Sequence, residues 1–457
     1  MKRKIKRYLL AICLCWTLSA GAQTRLWTLE ECIRHATENN IDLKQKLLEQ
    51  ESREIEMNTA RNSWLPNLNA GLGQNFDFGR SPSKDGVIVD RNSANSSAYL
   101  QASIPLFDGF KIPNTIAARK LDLRAAVESF NKAKDDLAIS IASYYLQALY
   151  YKEILHIAEL HIALTSEQVA QTEALVNTGK VPLSQLYDIK AQRAKDEVTR
   201  TEARNNVTLA LLNLAQLLEL ERGGDGFDIA VPDLQEPAGR QTADILSPEL
   251  VYWNAVAVKP QIKEQEWLLG SRKKMLKVTQ AGYYPQLNLN LSYSNGYYYY
   301  SGASDIVNVR FNDQLRQNER KTIGFSLTVP IFNRFEVRNS VRSARVAIIS
   351  QELAMENTKK TLYKEIQQAY FNATSAQEKY TAATQSAEAG REAFKYAEER
   401  YATGRSTVFE YNESKTRYAQ SLSEQAQAKY DFIFRTGILD FYNGKPITLP
   451  EVTGNGM

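Results

Sequence analysis

Four segments of the chain alternate apolar and polar residues with period two. After Pro66, the residues Leu68, Ala70, Leu72, Phe76 and Phe78 oppose Asn67, Asn69, Asn75 and Asp77. Before Pro105, the residues Ala98, Leu100, Ala102 and Ile104 oppose Tyr99, Gln101 and Ser103. The pattern returns with Leu287, Leu289, Leu291 and Tyr293 against Gln286, Asn288, Asn290 and Ser292. It returns again with Ile323, Phe325, Leu327 and Val329 against Thr322, Gly324, Ser326 and Thr328. Strict alternation predicts four strands of roughly ten residues, each with one apolar face. A half-buried soluble sheet is the plain reading. Polar faces rich in Asn and Ser with few charges, and the strand length, favour a tilted membrane crossing.

A second periodicity follows each strand pair. No glycine or proline interrupts the chain between Pro113 and Gly179, a stretch that reaches about 95–100 Å as a helix. Steps of 4,3,4,3 from Ile116 collect Leu123, Val127, Phe130, Leu137, Ile141, Tyr144, Ala148, Tyr151, Leu155, Ala158, Ile162, Val169 and Val176. The exceptions are Lys120, Lys134, Thr165 and Thr172. The same walk moved by 225 positions collects Val341 through Tyr401, with breaks at Arg345, Glu352, Lys359 and Gly390. A 3.5-residue period held this long predicts antiparallel coiled-coil hairpins. Gly179 and Gly404 are the expected tip turns, with return helices ending near Gly223 and Gly437.

The repetition extends to motifs. Leu65-Pro66-Asn67-Leu68 recurs as Tyr284-Pro285-Gln286-Leu287, Ile104-Pro105-Leu106-Phe107 as Val329-Pro330-Ile331-Phe332, and Thr178-Gly179-Lys180 as Thr403-Gly404-Arg405. Several matches in one order predict an internal duplication, with copies at 23–246 and 247–457. Each copy opens with a helix: Thr28 and Glu31 form a capping box, and Ser247-Pro248 places proline at the first helical position. Both helices should end before the following Pro66 and Pro285.

Beyond residue 22 no apolar run approaches the ~20 residues of a membrane helix, so a membrane crossing must use a closed β-barrel. Four strands cannot close one, since about eight is the smallest membrane barrel. Two subunits would give a plugged barrel; three would give twelve strands and a passage, and a wide pore favours the trimer.

Charge and chemistry narrow the picture further. Lys2, Arg3, Lys4, Lys6 and Arg7 precede an apolar run from Tyr8 to Leu18 and Ala20-Gly21-Ala22, which predicts a cleaved signal peptide over 1–22. The chain holds 56 Lys+Arg and 52 Asp+Glu; without those five basic residues the balance is 51 against 52, which argues against nucleic acid as a partner. Cys32 is the only cysteine after the signal, so no intrachain disulfide forms there; a buried thiol is expected. The histidines are His35, His156 and His161; the last two, five apart, have a poor helical metal spacing and read as surface or packing residues. Tyr297–Tyr300 reads as a membrane-interface girdle or an external loop tip. Gly223-Gly224-Asp225-Gly226 lacks the Lys-Ser/Thr of a phosphate loop. No cofactor and no enzymatic constellation is expected.

With these residues in place, the chain resembles the TolC family of outer-membrane efflux factors. The resemblance rests on Thr28-Leu29-Glu30-Glu31, Ala36, Asn39-Asn40 and Leu43, on Leu65-Pro66, and on Pro105-Leu106-Phe107-Asp108-Gly109 with its echo Pro330-Ile331-Phe332-Asn333. It also includes the Gly179 and Gly404 tips. Ile41 stands where the family often has proline, which the second copy keeps at Lys259-Pro260. The resemblance implies a mixed α/β membrane protein: a homotrimer sharing a twelve-strand barrel, set on a helical tunnel across the periplasm. A belt would form from 223–246 and the tail after Asp440.

The resemblance also implies a passive exit duct in the outer membrane, working with a periplasmic adaptor and an inner-membrane pump in efflux or type I secretion. The alternative is a periplasmic coiled-coil spacer without a pore. In the family the hairpin tips close the inner end around acidic residues. Here Glu410 and Glu413 stand at the two acidic positions, and Tyr401 at that of a tyrosine in the closing network. Arg405 directly follows the glycine, with Ser406 at the usual arginine position. Gln185 sits where an acidic partner is expected, and Asp188 supplies a carboxylate three residues on.

Overall fold

A computed structural model describes residues 26–82, 86–221, 226–232, 245–301 and 307–449. The predicted signal peptide, the glycines at 223 and 224 and most of the predicted belt lie outside them. The elements run β1 (Leu26–Trp27), α1 (Leu29–Asn39), α2 (Ile41–Asn62), β2 (Asn67–Asp77), β3 (Arg80–Pro82), β4 (Ile88–Asp90) and β5 (Asn92–Phe107). Then follow α3 (Lys111–Asn177), α4 (Leu183–Leu217), β6 (Asp228–Ile229), α5 (Pro248–Val258), α6 (Pro260–Gln280) and β7 (Gln286–Ser301). The chain closes with α7 (Phe311–Gln317), β8 (Arg320–Thr328), α8 (Glu336–Ala402) and α9 (Val408–Tyr442). α3 and α8 are both 67 residues long, and α4 and α9 both 35. In each pair the second helix starts 225 positions after the first.

The chain divides into two compact units, one of residues 1–47, 129–262 and 357–457, the other of 48–128 and 263–356. The second holds a four-stranded antiparallel sheet in the order β2-β5-β7-β8. Its register aligns the alternating faces predicted from the sequence. Leu68 pairs with Ala102, which pairs with Leu291, which pairs with Ile323; Leu289 lies between Ile104 and Phe325. The other face reads Asn69, Gln101, Ser292 and Thr322 along one row. The apolar face is bare on the edge strands: Leu72 is 88% exposed, Ile323 74% and Phe325 70%. A contiguous uncovered apolar face is not what a soluble half-buried sheet presents.

β7 outruns β8, and a short segment completes its edge. Gln314 of α7 accepts from Tyr298 N and donates to Tyr298 O, while Asn308 and Asn318 bind the backbone of Tyr300 and Gly296. Side-chain amides thus satisfy main-chain groups that no strand pairs. Phe311 meets the Tyr297 ring edge-on at 5.1 Å. The tyrosine run therefore ends a strand, and α7 was not legible in the sequence.

The first unit is helical. Leu29, Cys32 and Ala36 of α1 pack with Ile141, Tyr145 and Leu149 of α3, Leu214 of α4 and Ile433 of α9. Tyr145 donates toward the carbonyls of Trp27 and Ala230, beside the parallel pairing of β1 with β6. Cys32 is fully buried, as expected, and burial with Glu31 and Glu30 pushes its thiol up to about 12. A second cluster joins Val251 and Ala255 of α5 to Leu362, Ile366 and Ala373 of α8.

Two expectations change. Each opening helix is broken in two rather than continuous. Asn40 ends α1 in an extended conformation and its carboxamide oxygen caps Asp42 N and Leu43 N, starting α2 without the proline. Lys259-Pro260 makes the corresponding break. The return helices also end elsewhere: α4 stops at Leu217, and α9 runs through Gly437 to Tyr442. A single helical glycine costs only about 1 kcal/mol, less than the packing of Leu439 beyond it supplies.

Candidate functional site at the hairpin tips

Both coiled-coil hairpins turn on a glycine with left-handed backbone. Gly179 has φ 71° and Gly404 φ 70°. In each tip the glycine N–H bonds three residues back and the next N–H five back: Gly179 to Val176 O and Lys180 to Leu175 O, then Gly404 to Tyr401 O and Arg405 to Arg400 O. This Schellman closure satisfies the last carbonyls of α3 and α8.

The return helix α9 starts with a capping box. Glu410 N donates to the Thr407 hydroxyl, and the Glu410 carboxylate accepts from Thr407 N at 3.3 Å and from the Ser406 hydroxyl at 2.6 Å. Arg400 lies 3.9 Å away. The Ser406 bond, then the Thr407 backbone, holds this exposed carboxyl below its ordinary value. Glu413 is bound by Arg417 one turn on.

The predicted site residues separate into two sets. Gln185, Asp188 and Tyr401 line one cleft of about 760 Å³, with Glu167, Glu398 and Phe409. Tyr401 packs on Tyr411 at 4.9 Å between ring centres. Burial, with Glu398 and Glu167 nearby, pushes the Tyr411 hydroxyl up to about 12. Glu410 and Glu413 do not line that cleft, and Arg405 serves the turn through its backbone. Within one chain the acidic pair and the tyrosine network are therefore distinct.

Sequence reasoning missed a buried polar group between α3, α4 and α9. Lys415 is 1% exposed, Thr165 0% and Asp196 6%. Lys415 Nζ donates to Thr165 Oγ1 at 2.8 Å, and that hydroxyl donates to Asp196 Oδ2 at 2.5 Å. His161 Nδ1 stands 3.3 Å from the same carboxylate, and Gln192 donates to its other oxygen at 2.8 Å. Burial pulls the Lys415 ammonium down, with Asp196 opposing. Burial would raise Asp196, but bonds from His161, Thr165 and Gln192 leave it lowered. The available signal was Thr165 itself, a polar residue on the apolar walk.

The model of the outer membrane efflux protein family matches residues 32–219 and 251–433, most of the chain. The chain belongs to this family. It is 21% identical to the outer membrane protein TolC of Salmonella enteritidis over 420 residues, 89% of this chain and 79% of that protein. The proteases secretion protein PrtF of Dickeya chrysanthemi is likewise 21% identical, over 91% of this chain and 87% of its own length. Among solved structures, the outer membrane protein VceC from Vibrio cholerae superposes with a TM-score of 0.73 at 15% identity, covering 92% of this chain and 97% of its own. CusC, described for transmembrane channel formation, gives 0.73 at 16% identity over 91% of both chains. The family and these neighbours are efflux, secretion and channel proteins, not enzymes.

Proposed function

We propose that the chain is one subunit of a homotrimeric outer-membrane channel, the passive exit duct of a tripartite efflux or type I secretion system. The bare apolar face of the four-stranded sheet carries this reading. Its edges, β2 and β8, have no partner strand within the described residues, and an open edge cannot face lipid. Three copies joining β8 to the next subunit's β2 close a twelve-strand barrel with the apolar face outward and the Asn- and Ser-rich face lining the lumen. The membrane lipid is then the partner of Leu72, Ile323 and Phe325.

On this reading the two halves, 23–246 and 247–457, are copies of one unit, exported by the signal peptide over 1–22. The hairpins of α3–α4 and α8–α9 build the periplasmic tunnel, and their tips meet a periplasmic adaptor and an inner-membrane pump. Glu410 and Glu413 line the inner constriction, with Tyr401, Gln185, Asp188 and Arg405 around it. The relatives favour this over a spacer without a pore: TolC and PrtF are named for the outer membrane and for protease secretion.

Purified, detergent-extracted protein tests the reading directly. Mass measurement should return three subunits, and planar bilayers should show unitary conductance steps. A stable monomer of native helicity, or a trimer that never conducts, would sink it and leave the spacer.

A further inference from the structure

The buried group Lys415–Thr165–Asp196 joins the second hairpin's return helix to both helices of the first. An ammonium taken out of water needs hydrogen-bonded compensation, and its removal or orphaning is costly. Here Lys415 has a hydroxyl in front of it and the Tyr411 ring at 5.9 Å. Among the described residues no carboxylate pairs with it directly; its hydrogen bond goes to the Thr165 hydroxyl. The Thr165 hydroxyl accepts from the ammonium, and its one proton faces both Asp196 Oδ2 at 2.5 Å and the His161 carbonyl at 2.9 Å. The ion pair is thus transmitted through a single oxygen, and Gln192 and His161 hold the carboxylate from α4 and α3.

Position gives this link its meaning. Thr165 lies 14 residues before Gly179 and Lys415 lies 11 after Gly404, about 21 Å and 17 Å along their helices. Between this level and the turns, the hairpins share the small cluster of Val169, Leu186 and Ile189 with Val408. The same interval buries the Gln168 amide, Thr172 Oγ1 and Asn412 Oδ1 without hydrogen-bond partners. Each such orphan opposes the packing that buries it. Beyond this level, away from the turns, the hairpins share the main core, where Tyr430 and Ile433 of α9 pack with Ile141, Tyr145 and Leu149 of α3 and Leu214 of α4. The large shared core lies on one side of Lys415 and the small cluster with its orphaned polar atoms on the other.

We propose that Lys415, Thr165 and Asp196 form a pivot. They clamp the two hairpins together and set the point below which the tips swing apart when the duct opens. The proposal rests on the channel reading only for the word "opens"; the clamp itself is a property of one chain. Lys415 and Thr165 are positioning residues, acting on the tips through the helices they join.

Hydrogen exchange and bilayer recording on the full-length trimer, with Thr165→Val, Thr165→Ser and Lys415→Met, test it. Valine keeps the shape of threonine and removes the hydroxyl; serine keeps the hydroxyl and loses the methyl. Thr165→Val and Lys415→Met should accelerate amide exchange by roughly tenfold in 166–190 and 398–414 and leave 137–160 and 420–440 unchanged. Both should also raise the open fraction of the channel. Thr165→Ser should match the wild type. Serine behaving as valine would reduce the site to packing, and acceleration spread evenly along both hairpins would remove the pivot. Localised acceleration in a protein that never conducts would uphold the clamp and sink the channel reading instead. Should Thr165→Val fail to assemble, Lys415→Met carries the same comparison, and its wild-type exchange pattern would overturn the proposal.

Discussion

A glycine can be required for two separable reasons, and Gly109 shows both. Its φ of 66° is left-handed, and a Cβ there would lie 2.7 Å from Ala281 O and 2.8 Å from Tyr284 Cβ. Gly404 has nearly the same φ, but open space where a Cβ would go. Gly109→Ala should therefore destabilise by about 2–3 kcal/mol, against about 1 kcal/mol for Gly404→Ala. Thermal melts followed by circular dichroism check the order, and equal shifts would mean that only backbone conformation matters. Arg334 stands 225 positions after Gly109 with φ 53°. The second copy thus tolerates a left-handed arginine where the first needs glycine, and Arg334→Gly should be neutral to mildly stabilising.

At the scale of elements, the sheet's two faces differ in what they can bear. Leu289 and Phe325 face each other across β7 and β8 on the apolar side, whereas Asn288 pairs with Ser326 on the polar side. An arginine at Leu289 or Phe325 meets lipid at a midplane cost of about 2–4 kcal/mol. Leu289→Arg and Phe325→Arg should therefore abolish recovery from the outer-membrane fraction, and Asn288→Arg should be recovered normally. Equal losses on both faces would refute the barrel. These faces were legible because a period of two survives any loop length, and the register then had only to align four patterned strands. The long helices were legible because nothing between Pro113 and Gly179 could stop them. The break at Asn40 was not, because one side chain ends a helix and starts the next in place of the expected proline. Nor was the Lys415 clamp: a lysine on a helix reads as solvated, and its partner Thr165 lies 250 positions away. His161 was read as surface or packing for the same reason, its carboxylate being on another helix.

At the scale of the whole molecule, the proposed threefold axis gathers six carboxylates from Glu410 and Glu413. Within one chain these groups are already engaged, Glu410 by Ser406 and Thr407 and Glu413 by Arg417. The Ser406 and Thr407 bonds favour the ionised form of Glu410, and the exposed Arg417 pair is weak, so it offsets Glu413 without cancelling the ring's charge. A constriction of net negative charge with low-dielectric walls favours cations. Wild-type channels should be cation-selective, and multivalent cations should block from the periplasmic side. Glutamine is the informative substitution, because at Glu410 it keeps the capping box that starts α9 while removing the charge. Glu410→Gln with Glu413→Gln should weaken both selectivity and block in a trimer of unchanged melting temperature. Arg417→Gln should act oppositely, by freeing Glu413, and sharpen selectivity. Reversal potentials in asymmetric salt read all three proteins. If neither substitution moves the reversal potential, both carboxylates lie outside the pore, and Glu410 is only a helix cap.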